Sequence, residues 1–420
     1  MSPSKTSLGP AIIVAAVVCG PGSILTASKV GAQHGYTMVW VLALAVVLMA
    51  ATTALAARLG VVFKGTPCDE LADRLGRPVA FLVGLTIFLV AAGFQTSNNL
   101  AVIKALAPYF DPETDPALAR WVPVAAVIAL NLFLVAVVYI SRNLYRPIEK
   151  TMKALVLLMV VAFLINAVLT KPSIAAAVAG LVPRLPDDTA GAAGLFALVG
   201  LAATTFSIAG AFYQAYLVRD KGWTLRDLRA GLVDSLIGIA VLGAITLTIM
   251  LTAAAQFHGK VDPGTLATVT DVAAVLETLF GPWAGLVFTV GIFAGALSSF
   301  LVNAMIGGQF LADGLGKGAS IDRPATRHFT VAALAAGLGG ALLAQLTTSS
   351  SGGANITPII IAQACTVIGG PALAATLLYL ATRPDLTGEK KTPPLLVATT
   401  VLALLVTLVL ATKTVLKLAS

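Results

Sequence analysis

Charged side chains are scarce in this chain. Asp, Glu, Lys and Arg make up 11% of its 420 residues, whereas hydrophobic residues make up 58% and the mean hydropathy is +0.94. A soluble domain carries about 25% charged residues. The composition therefore excludes a soluble enzyme and predicts an all-α protein embedded in a lipid bilayer. The 27 basic residues are spread over short loops instead of clustering on one face, which argues against a nucleic-acid partner.

Cysteine is also scarce, and the usual motifs of catalysis are absent. The three cysteines, Cys19, Cys68 and Cys365, have no metal-ligand spacing, and Cys19 and Cys365 lie in hydrophobic segments. We interpret them as small apolar packing residues. No nucleophile–base pair and no nucleotide-binding motif is visible, so the sequence predicts neither an enzyme nor a bound cofactor.

Eleven hydrophobic segments are long enough to cross the hydrocarbon core, which takes about 20 helical residues. Their approximate ranges are 9–30, 37–62, 79–107, 121–140, 151–170, 192–218, 232–256, 283–312, 328–346, 354–382 and 393–416. Loops on one side of the predicted bundle carry most of the Lys and Arg residues. This bias predicts a cytoplasmic N-terminus and an extracytoplasmic C-terminus in a plasma (inner) membrane.

The first of these segments contains Gly20-Pro21-Gly22-Ser23 and no carboxylate. Pro21 removes a backbone donor, and the two glycines weaken the helix around it. Irregular backbone at this depth persists only where it is buried in protein or lines a wet cavity, and in transporters it marks the substrate site. We therefore predict a broken helix here. The sixth segment has small residues around Gly210 that permit a second break, but no proline enforces it.

Further motifs lie along the chain, at Gly9-Pro10, Gly31-Ala32-Gln33-His34-Gly35-Tyr36, Asp234-Ser235, Ser298-Ser299, Gly308-Gln309-Phe310, Ala362-Gln363, Gly369-Gly370-Pro371 and Leu386-Thr387-Gly388-Glu389. Together with the first-segment break, they resemble the Nramp family of metal-ion transporters over nearly the whole chain. The resemblance implies a leucine-transporter-like fold with two inverted five-helix repeats. The chain is then one transporter domain, 1–420, with repeats at about 9–170 and 192–382 and an extra helix at about 393–416.

The departures from the family pattern concern its functional residues. Gly20 and Ser23 stand where the family has the Asp and Asn of Asp-Pro-Gly-Asn. In the sixth segment, Ser207-Ile208-Ala209 replaces Met-Pro-His, and Gln95 and Asn98 replace an acidic pair of the third segment that is associated with proton transfer. The resemblance therefore implies a transporter that has lost the family's metal ligands.

We predict a substrate site at the two breaks. Its residues are Gly20, Pro21, Gly22, Ser23, Thr205, Ser207, Ala209 and Gln363. None of these side chains is anionic or soft, whereas transition metals prefer carboxylate, imidazole or sulfur ligands. Free amide groups at a helix start suit an anion, with Ser23 as a hydroxyl donor. We therefore favour alternating-access transport of a small anion, such as bicarbonate or a short carboxylate. The alternative is a divalent metal cation, hydrated Mg²⁺ or Mn²⁺, as in the parent family.

Energy coupling stays open at this stage. The resemblance implies that a sodium site could use carbonyls of the first segment and hydroxyls of the eighth, where Ser298 and Ser299 lie, and passive transport fits the sequence equally well. Gln95 and Asn98 are polar within the membrane, so we expect them to face the protein interior, along a polar path or in helix–helix hydrogen bonds.

Two lysines and one aspartate have plainer expected roles. We expect Lys29 and Lys104 to snorkel to the outer interface. Asp234, near the inner end of the seventh segment, is expected to act as a cap or a structural hydrogen-bonder.

Overall fold

The computed structural model describes residues 9–110, 113–140, 145–184, 191–260, 281, 284–347 and 357–419. Within them the chain forms sixteen α-helices and no strand. The helices are α1 Pro10–Val18, α2 Pro21–His34, α3 Val39–Val62, α4 Pro67–Leu75, α5 Arg77–Leu106, α6 Pro116–Ile140, α7 Tyr145–Thr170, α8 Ile174–Ala179, α9 Gly191–Thr205, α10 Ile208–Asp220, α11 Leu228–Phe257, α12 Ala284–Gly314, α13 Pro324–Thr347, α14 Thr357–Cys365, α15 Gly370–Ala381 and α16 Pro394–Ala419.

The length and hydropathy of these helices confirm the prediction of an all-α membrane protein. In the described part of the chain, nine stretches are long and apolar enough to cross a membrane, and the bent pair α1 and α2 makes a tenth. The helix α7 occupies the fifth predicted segment. The total of eleven spans stays a prediction.

Burial separates a central layer from a lipid-facing layer. Nearly all of α1 is buried, and so are nearly all residues of the stretch Ala197–Asp220, which contains most of α9 and all of α10. By contrast, α6 exposes Leu132 and Phe133, and α16 exposes Leu405 and Leu416. An apolar side chain on the outside of a membrane bundle contacts lipid at no cost. The two predicted broken segments therefore lie in the middle of the bundle.

Small residues allow the central helices to approach one another closely. A Cβ atom on Gly84 of α5 would lie 2.4 Å from the Phe310 carbonyl oxygen of α12, and one on Gly31 of α2 would lie 2.2 Å from the Met250 oxygen of α11. Within a membrane, lipid is as apolar as the helix surfaces, so helices associate through close packing of this kind and not through the hydrophobic effect. They fix α5, α11 and α12 around the broken first segment.

Asp234 holds the beginning of α1 in place. Its two carboxylate oxygens accept hydrogen bonds from the Gly9 amide at 2.8 Å and the Ala11 amide at 2.9 Å. The Gln214 side chain of α10 donates a third, at 3.2 Å. A negative charge at a helix start satisfies free amides and complements the helix dipole. Asp234 is thus a cap, as the sequence predicts.

Candidate substrate site at two helix breaks

The first segment is broken where the sequence predicts. The helix α1 ends at Val18, α2 begins at Pro21, and their axes differ by 60°. Gly20 has extended backbone angles and is the N-cap of α2, without a side-chain hydrogen bond. Pro21 occupies the first turn, where its missing amide and fixed φ suit the start of a helix. The Gly-Pro sequence therefore ends one half-helix and begins the next.

The sixth segment is also broken, although it has no proline. The helix α9 ends at Thr205 and α10 begins at Ile208. Ser207 is the N-cap of α10, and its hydroxyl oxygen accepts a hydrogen bond from the Gly210 amide at 3.3 Å. Serine is a favoured N-cap because it satisfies one of the free amides of the first turn. This cap was the available sequence signal for the second break.

The two breaks lie against each other. A Cβ atom on Gly210 would lie 3.3 Å from Val18 Cγ2, so the start of α10 contacts the end of α1. On the other side, the hydroxyl oxygens of Thr26 and Thr204 are 3.5 Å apart, which joins α2 to α9. The predicted site residues of the first and sixth segments are therefore brought together.

Gln363 of α14 lies directly over the first break. Its side chain is 2% exposed, and a Cβ atom on Gly22 would lie 1.2 Å from its Nε2 atom. Position 22 thus has room for Gln363 only because it is a glycine. The prediction that Gln363 belongs with the first break agrees with this contact.

Oxygen atoms with unused hydrogen-bonding capacity face this region. The Ser23 hydroxyl donates its hydrogen to the Val18 carbonyl oxygen at 2.5 Å, so its oxygen can only accept from a ligand. Our expectation that Ser23 donates to a substrate does not fit this geometry. Gln363 Oε1 and Thr205 Oγ1 are buried and have no hydrogen-bond partner among the described residues.

Ser299 lies on the opposite side of the first break, in a complete network. Its hydroxyl donates to the Val17 carbonyl oxygen at 3.0 Å and accepts from the side-chain amides of Asn98 at 3.1 Å and Asn303 at 2.9 Å. Gln95 adds a hydrogen bond from its amide to the Phe300 carbonyl oxygen at 2.5 Å. We name Gln95, Asn98, Ser299 and Asn303 the α12 clamp, because it fastens α1 and α5 to α12.

The α12 clamp bears on two predictions. Gln95 and Asn98 face the protein interior, as expected, since they are 0% and 2% exposed. As a sodium ligand, however, Ser299 would present an oxygen already occupied by two amide donors. The side chain of Ser298 lies outside the described residues.

A small cavity of about 20 Å³ lies beside the sixth-segment break. It is lined by Val90, Phe94, Ala202, Ala203, Phe206, Ser207, Ile208, Ala209, Thr366, Val367, Gly370, Thr407 and Leu410. Of the predicted substrate residues, it touches Ser207 and Ala209, but none of the first-segment break. The cavity is mostly apolar and reaches α16.

Two lysines on helices around the first break have low exposure. Lys29 of α2 is 7% exposed and Lys104 of α5 is 6% exposed. The expected snorkelling of both side chains to the outer interface stays a prediction. Within the described residues, no three or more His, Cys, Asp or Glu side chains gather as a metal site. The site is therefore built from neutral oxygens.

An all-α bundle with two broken helices meeting at its centre has the architecture of a leucine-transporter-like membrane transporter. The family model described as "Natural resistance-associated macrophage protein-like" (Nramp) matches residues 11–417. The chain belongs to the Nramp family of transporters, as its motifs indicate. It is an integral multi-pass membrane protein and not an enzyme.

Similar proteins of known sequence are named divalent metal cation transporters. The protein MntH of Deinococcus radiodurans is 28% identical over 312 residues, which cover 71% of this chain and 67% of that protein. MntH of Yersinia pestis is also 28% identical, over 305 residues that cover 71% of each chain.

Solved structures support the fold. The manganese transporter of Eremococcus coleocola, in complex with an aromatic bis-isothiourea substituted compound, has a TM-score of 0.76 at 16% identity. The match covers 97% of this chain and 86% of that chain. MhsT in complex with L-phenylalanine has a TM-score of 0.52 at 17% identity and covers 97% and 99% of the two chains.

Proposed function

We propose that this Nramp-family transporter carries a divalent metal cation, with much of its water shell retained, through a site at the two helix breaks. The observation that carries the proposal is the set of neutral oxygens there: Ser23 Oγ, which can only accept, and the unpartnered Gln363 Oε1 and Thr205 Oγ1. Such oxygens receive hydrogen bonds from metal-bound water. The names of the relatives, divalent metal cation and manganese transporters, support the same cargo. This reverses our sequence-based preference for an anion.

The absence of a carboxylate limits how the cation is held. Mg²⁺ gives up its water reluctantly and keeps several water ligands in proteins, so neutral oxygens in a second layer are enough to bind it weakly. A pair of unit charges about 4 Å apart contributes about 4 kcal/mol at an effective dielectric of 20. Each 1.4 kcal/mol corresponds to a tenfold change in affinity. A site that lacks a carboxylate beside the metal therefore binds the metal far more weakly. We therefore propose hydrated Mg²⁺ before dehydrated Mn²⁺.

A small anion, such as bicarbonate or a short carboxylate, is the second candidate. Both α2 and α10 begin at the site, and Gly20, the N-cap of α2, supplies no capping side chain. The positive ends of these helices favour negative charge. The Ser23 geometry counts against this candidate, because the hydroxyl hydrogen is already donated to Val18.

We also propose the wider organisation that the sequence predicts. The first repeat, about 9–170, begins with the break between α1 and α2, and the second, about 192–382, begins with the break between α9 and α10. This correspondence supports inverted repeats that rock about the central site. A cytoplasmic N-terminus and an extracytoplasmic C-terminus follow from the loop charges. Sodium coupling through Ser298 and Ser299 loses support from the α12 clamp, so we favour transport without sodium.

Ion flux into proteoliposomes tests the proposal directly. Vesicles that contain the purified chain should take up Mg²⁺, measured with an internal fluorescent indicator, and uptake should fall at least tenfold for Gln363→Leu and severalfold for Thr205→Val. Thr376→Val is the matched control, because it removes the same hydroxyl from α15, away from the breaks. Saturable uptake of labelled bicarbonate without cation flux would overturn the proposal in favour of the second candidate. Equal fluxes in all variants would remove the breaks from the pathway.

A further inference from the structure

A buried carboxylate lies at the far end of α12, away from the two breaks. Asp313 is 0% exposed, and its Oδ2 atom accepts a hydrogen bond from the Tyr216 hydroxyl of α10 at 2.6 Å. Asp313 lies 14 residues beyond Ser299 of the α12 clamp, which corresponds to about 21 Å along the helix. An ionisable side chain at membrane depth is costly and usually functional, so this contact calls for a role in transport.

The helices α1, α3, α10 and α11 are joined into one body. Asp234 of α11 binds the start of α1 and the Gln214 side chain of α10. The Arg219 guanidinium at the end of α10 donates to the carbonyl oxygens of Phe63 at 3.0 Å and Lys64 at 2.8 Å, just after α3. Because these hydrogen bonds lie within one group of helices, they persist when the group moves as a unit.

The helices α4, α5 and α12 form a second body. A Cβ atom on Gly314 of α12 would lie 2.7 Å from the Ala80 carbonyl oxygen of α5, so the two backbones are in close contact. Arg77, at the start of α5, donates to the Asp313 carbonyl oxygen at 3.2 Å and lies 3.6 Å from the Asp69 carboxylate of α4. The hydrogen bond from α10 to the Asp313 carboxylate therefore joins the two bodies.

Aromatic side chains fill the space between the two bodies on this side of the breaks. The centroid of the Phe310 ring of α12 lies 5.3 Å from that of Phe212 and 4.4 Å from that of Tyr216. All three side chains are at most 1% exposed. Tyr216 lies 9 residues beyond the Ser207 cap, or about 13 Å from the second break along α10. These rings therefore obstruct an ion that leaves the breaks along α10 in this direction.

We propose that the hydrogen bond between Tyr216 and Asp313 closes a gate between the two bodies. We name Phe212, Tyr216, Phe310 and Asp313 the α10–α12 gate. The proposal rests on alternating-access transport through the two breaks, but it does not depend on which ion is carried. Ser299 joins the same two bodies beside the first break, whereas the α10–α12 gate lies far from it. Rocking of one body against the other separates the distant contacts most, so the gate hydrogen bond breaks when the path opens on this side.

The Cys68 thiol of α4 is a native reporter of this gate. It is 0% exposed and lies beside the Tyr216 hydroxyl and the Asp313 carboxylate. Cys68 belongs to the second body and Tyr216 to the first. Opening of the α10–α12 gate therefore uncovers the thiol for a water-soluble reagent.

Labelling of Cys68 with a water-soluble maleimide tests the gate in the purified full chain in detergent, well below the Tm. Mass spectrometry of peptides separates Cys68 from Cys19 and Cys365, and the wild type should label slowly at Cys68. Tyr216→Phe removes only the hydroxyl that binds Asp313 and should raise the rate at least tenfold. A tenfold change corresponds to about 1.4 kcal/mol, which one hydrogen bond to a carboxylate supplies. Asp313→Asn keeps an uncharged acceptor, so it should raise the rate by a smaller factor, about threefold.

Two control variants separate a gate from general stability. Tyr139→Phe removes a tyrosine hydroxyl that bonds His328 between α6 and α13, and it should label at the wild-type rate. Leu134→Ala leaves a cavity beside α6 and lowers the Tm, yet it should also label at the wild-type rate. The proposal is wrong if Tyr216→Phe labels no faster than the wild type, or if the labelling of Cys68 simply follows the Tm across all variants.

The labelling readout requires no transported ion. Rapid labelling of Tyr216→Phe without Mg²⁺ flux in any variant would support the gate and contradict the proposed cargo. Mg²⁺ flux in the wild type with unaltered labelling of both gate variants would contradict the gate alone. If Tyr216→Phe does not fold, Asp313→Asn decides between these outcomes, because it weakens the same hydrogen bond without removing an atom from the packing.

Discussion

The two sides of the first-segment break differ in how their polar groups are satisfied. On the side of Gly20, the hydroxyl of Ser299 uses its hydrogen and accepts two side-chain amides. On the side of Gly22, the amide oxygen of Gln363 is buried without a partner among the described residues. A complete network stabilises a structure, whereas an incomplete buried group calls for a ligand or water. We therefore assign a structural role to the residues on the Gly20 side and binding of the transported ion to those on the Gly22 side.

A larger residue at position 22 should reduce transport more than any other change, because it displaces Gln363 from the binding side of the break. In Gly22→Val, the new Cβ would lie 1.2 Å from Gln363 Nε2, so Gln363 must leave the break. Overpacking of this kind costs about 1–3 kcal/mol. We expect uptake into proteoliposomes to fall to background and the Tm to fall by several degrees.

Gly339→Ala is the control for that substitution. A Cβ atom on Gly339, within α13, would have no neighbour within 4 Å. Because alanine is the better helix residue by about 1 kcal/mol, the Tm should hold or rise. Normal flux in Gly22→Val would contradict the assignment of the binding side.

Removing the Ser299 hydroxyl should affect stability before transport. Ser299→Ala loses the hydrogen bond to the Val17 oxygen and removes the acceptor of the Asn303 amide. The Asn98 amide keeps only its longer hydrogen bond to Gln95 Oε1, at 3.4 Å. A buried donor left unsatisfied costs about 1–3 kcal/mol. Denaturation should show this loss, while the KM for the transported ion should stay within about threefold of the wild type. A large rise in KM with unchanged stability would place Ser299 in the ion path instead.

These two sides were not equally visible in the sequence. Gly-Pro-Gly predicted the first break, because proline and glycine act through the backbone alone and need no knowledge of the neighbours. The Ser207 cap was a readable signal for the second break. The pairing of Gly22 with Gln363 and of Ser299 with Asn98 and Asn303 depends on how distant helices pack, which no local pattern encodes. The low exposure of Lys29 and Lys104 depends on the same long-range packing.

Restoring the carboxylate of the family pattern at position 20 tests whether the two sides are coupled. A Cβ atom on Gly20 would lie 2.9 Å from Ser299 Oγ, so aspartate does not fit beside the present clamp. Gly20→Asp alone should lower the Tm without gaining metal affinity. With Ser299→Gly added, the carboxylate gains space, and calorimetry should show Mn²⁺ binding at least tenfold tighter than in the wild type. Ser299→Gly alone is the control, and equal Mn²⁺ affinity in all four proteins would contradict the argument.

The smallest expected effect comes from a complete network far from the breaks. In the connection between α15 and α16, Arg383 contacts Asp385 at 2.8 Å and Glu70 of α4 at 2.5 Å. The hydrogen bond from the Arg383 guanidinium holds the pKa of the Asp385 carboxyl below its usual range. A carboxyl with a lowered folded-state pKa stabilises the protein above its unfolded-state pKa, and this contribution is lost as the pH falls through the folded-state value. Because the Asp385 side chain is 44% exposed, solvent screens the interaction and the effect is small.

The Tm of Asp385→Asn should therefore lie slightly below that of the wild type at pH 7, and the difference should vanish as the pH is lowered. Glu389→Gln removes a similar charge from the same connection, where its side chain makes no ion pair within the described residues. It should lack that pH-dependent difference. Transport by Asp385→Asn should stay unchanged, since a satisfied network here supports the fold just as the clamp around Ser299 does. If Asp385→Asn abolishes flux while the Tm holds, the rule that satisfied networks are structural and incomplete ones bind the ion fails for this molecule.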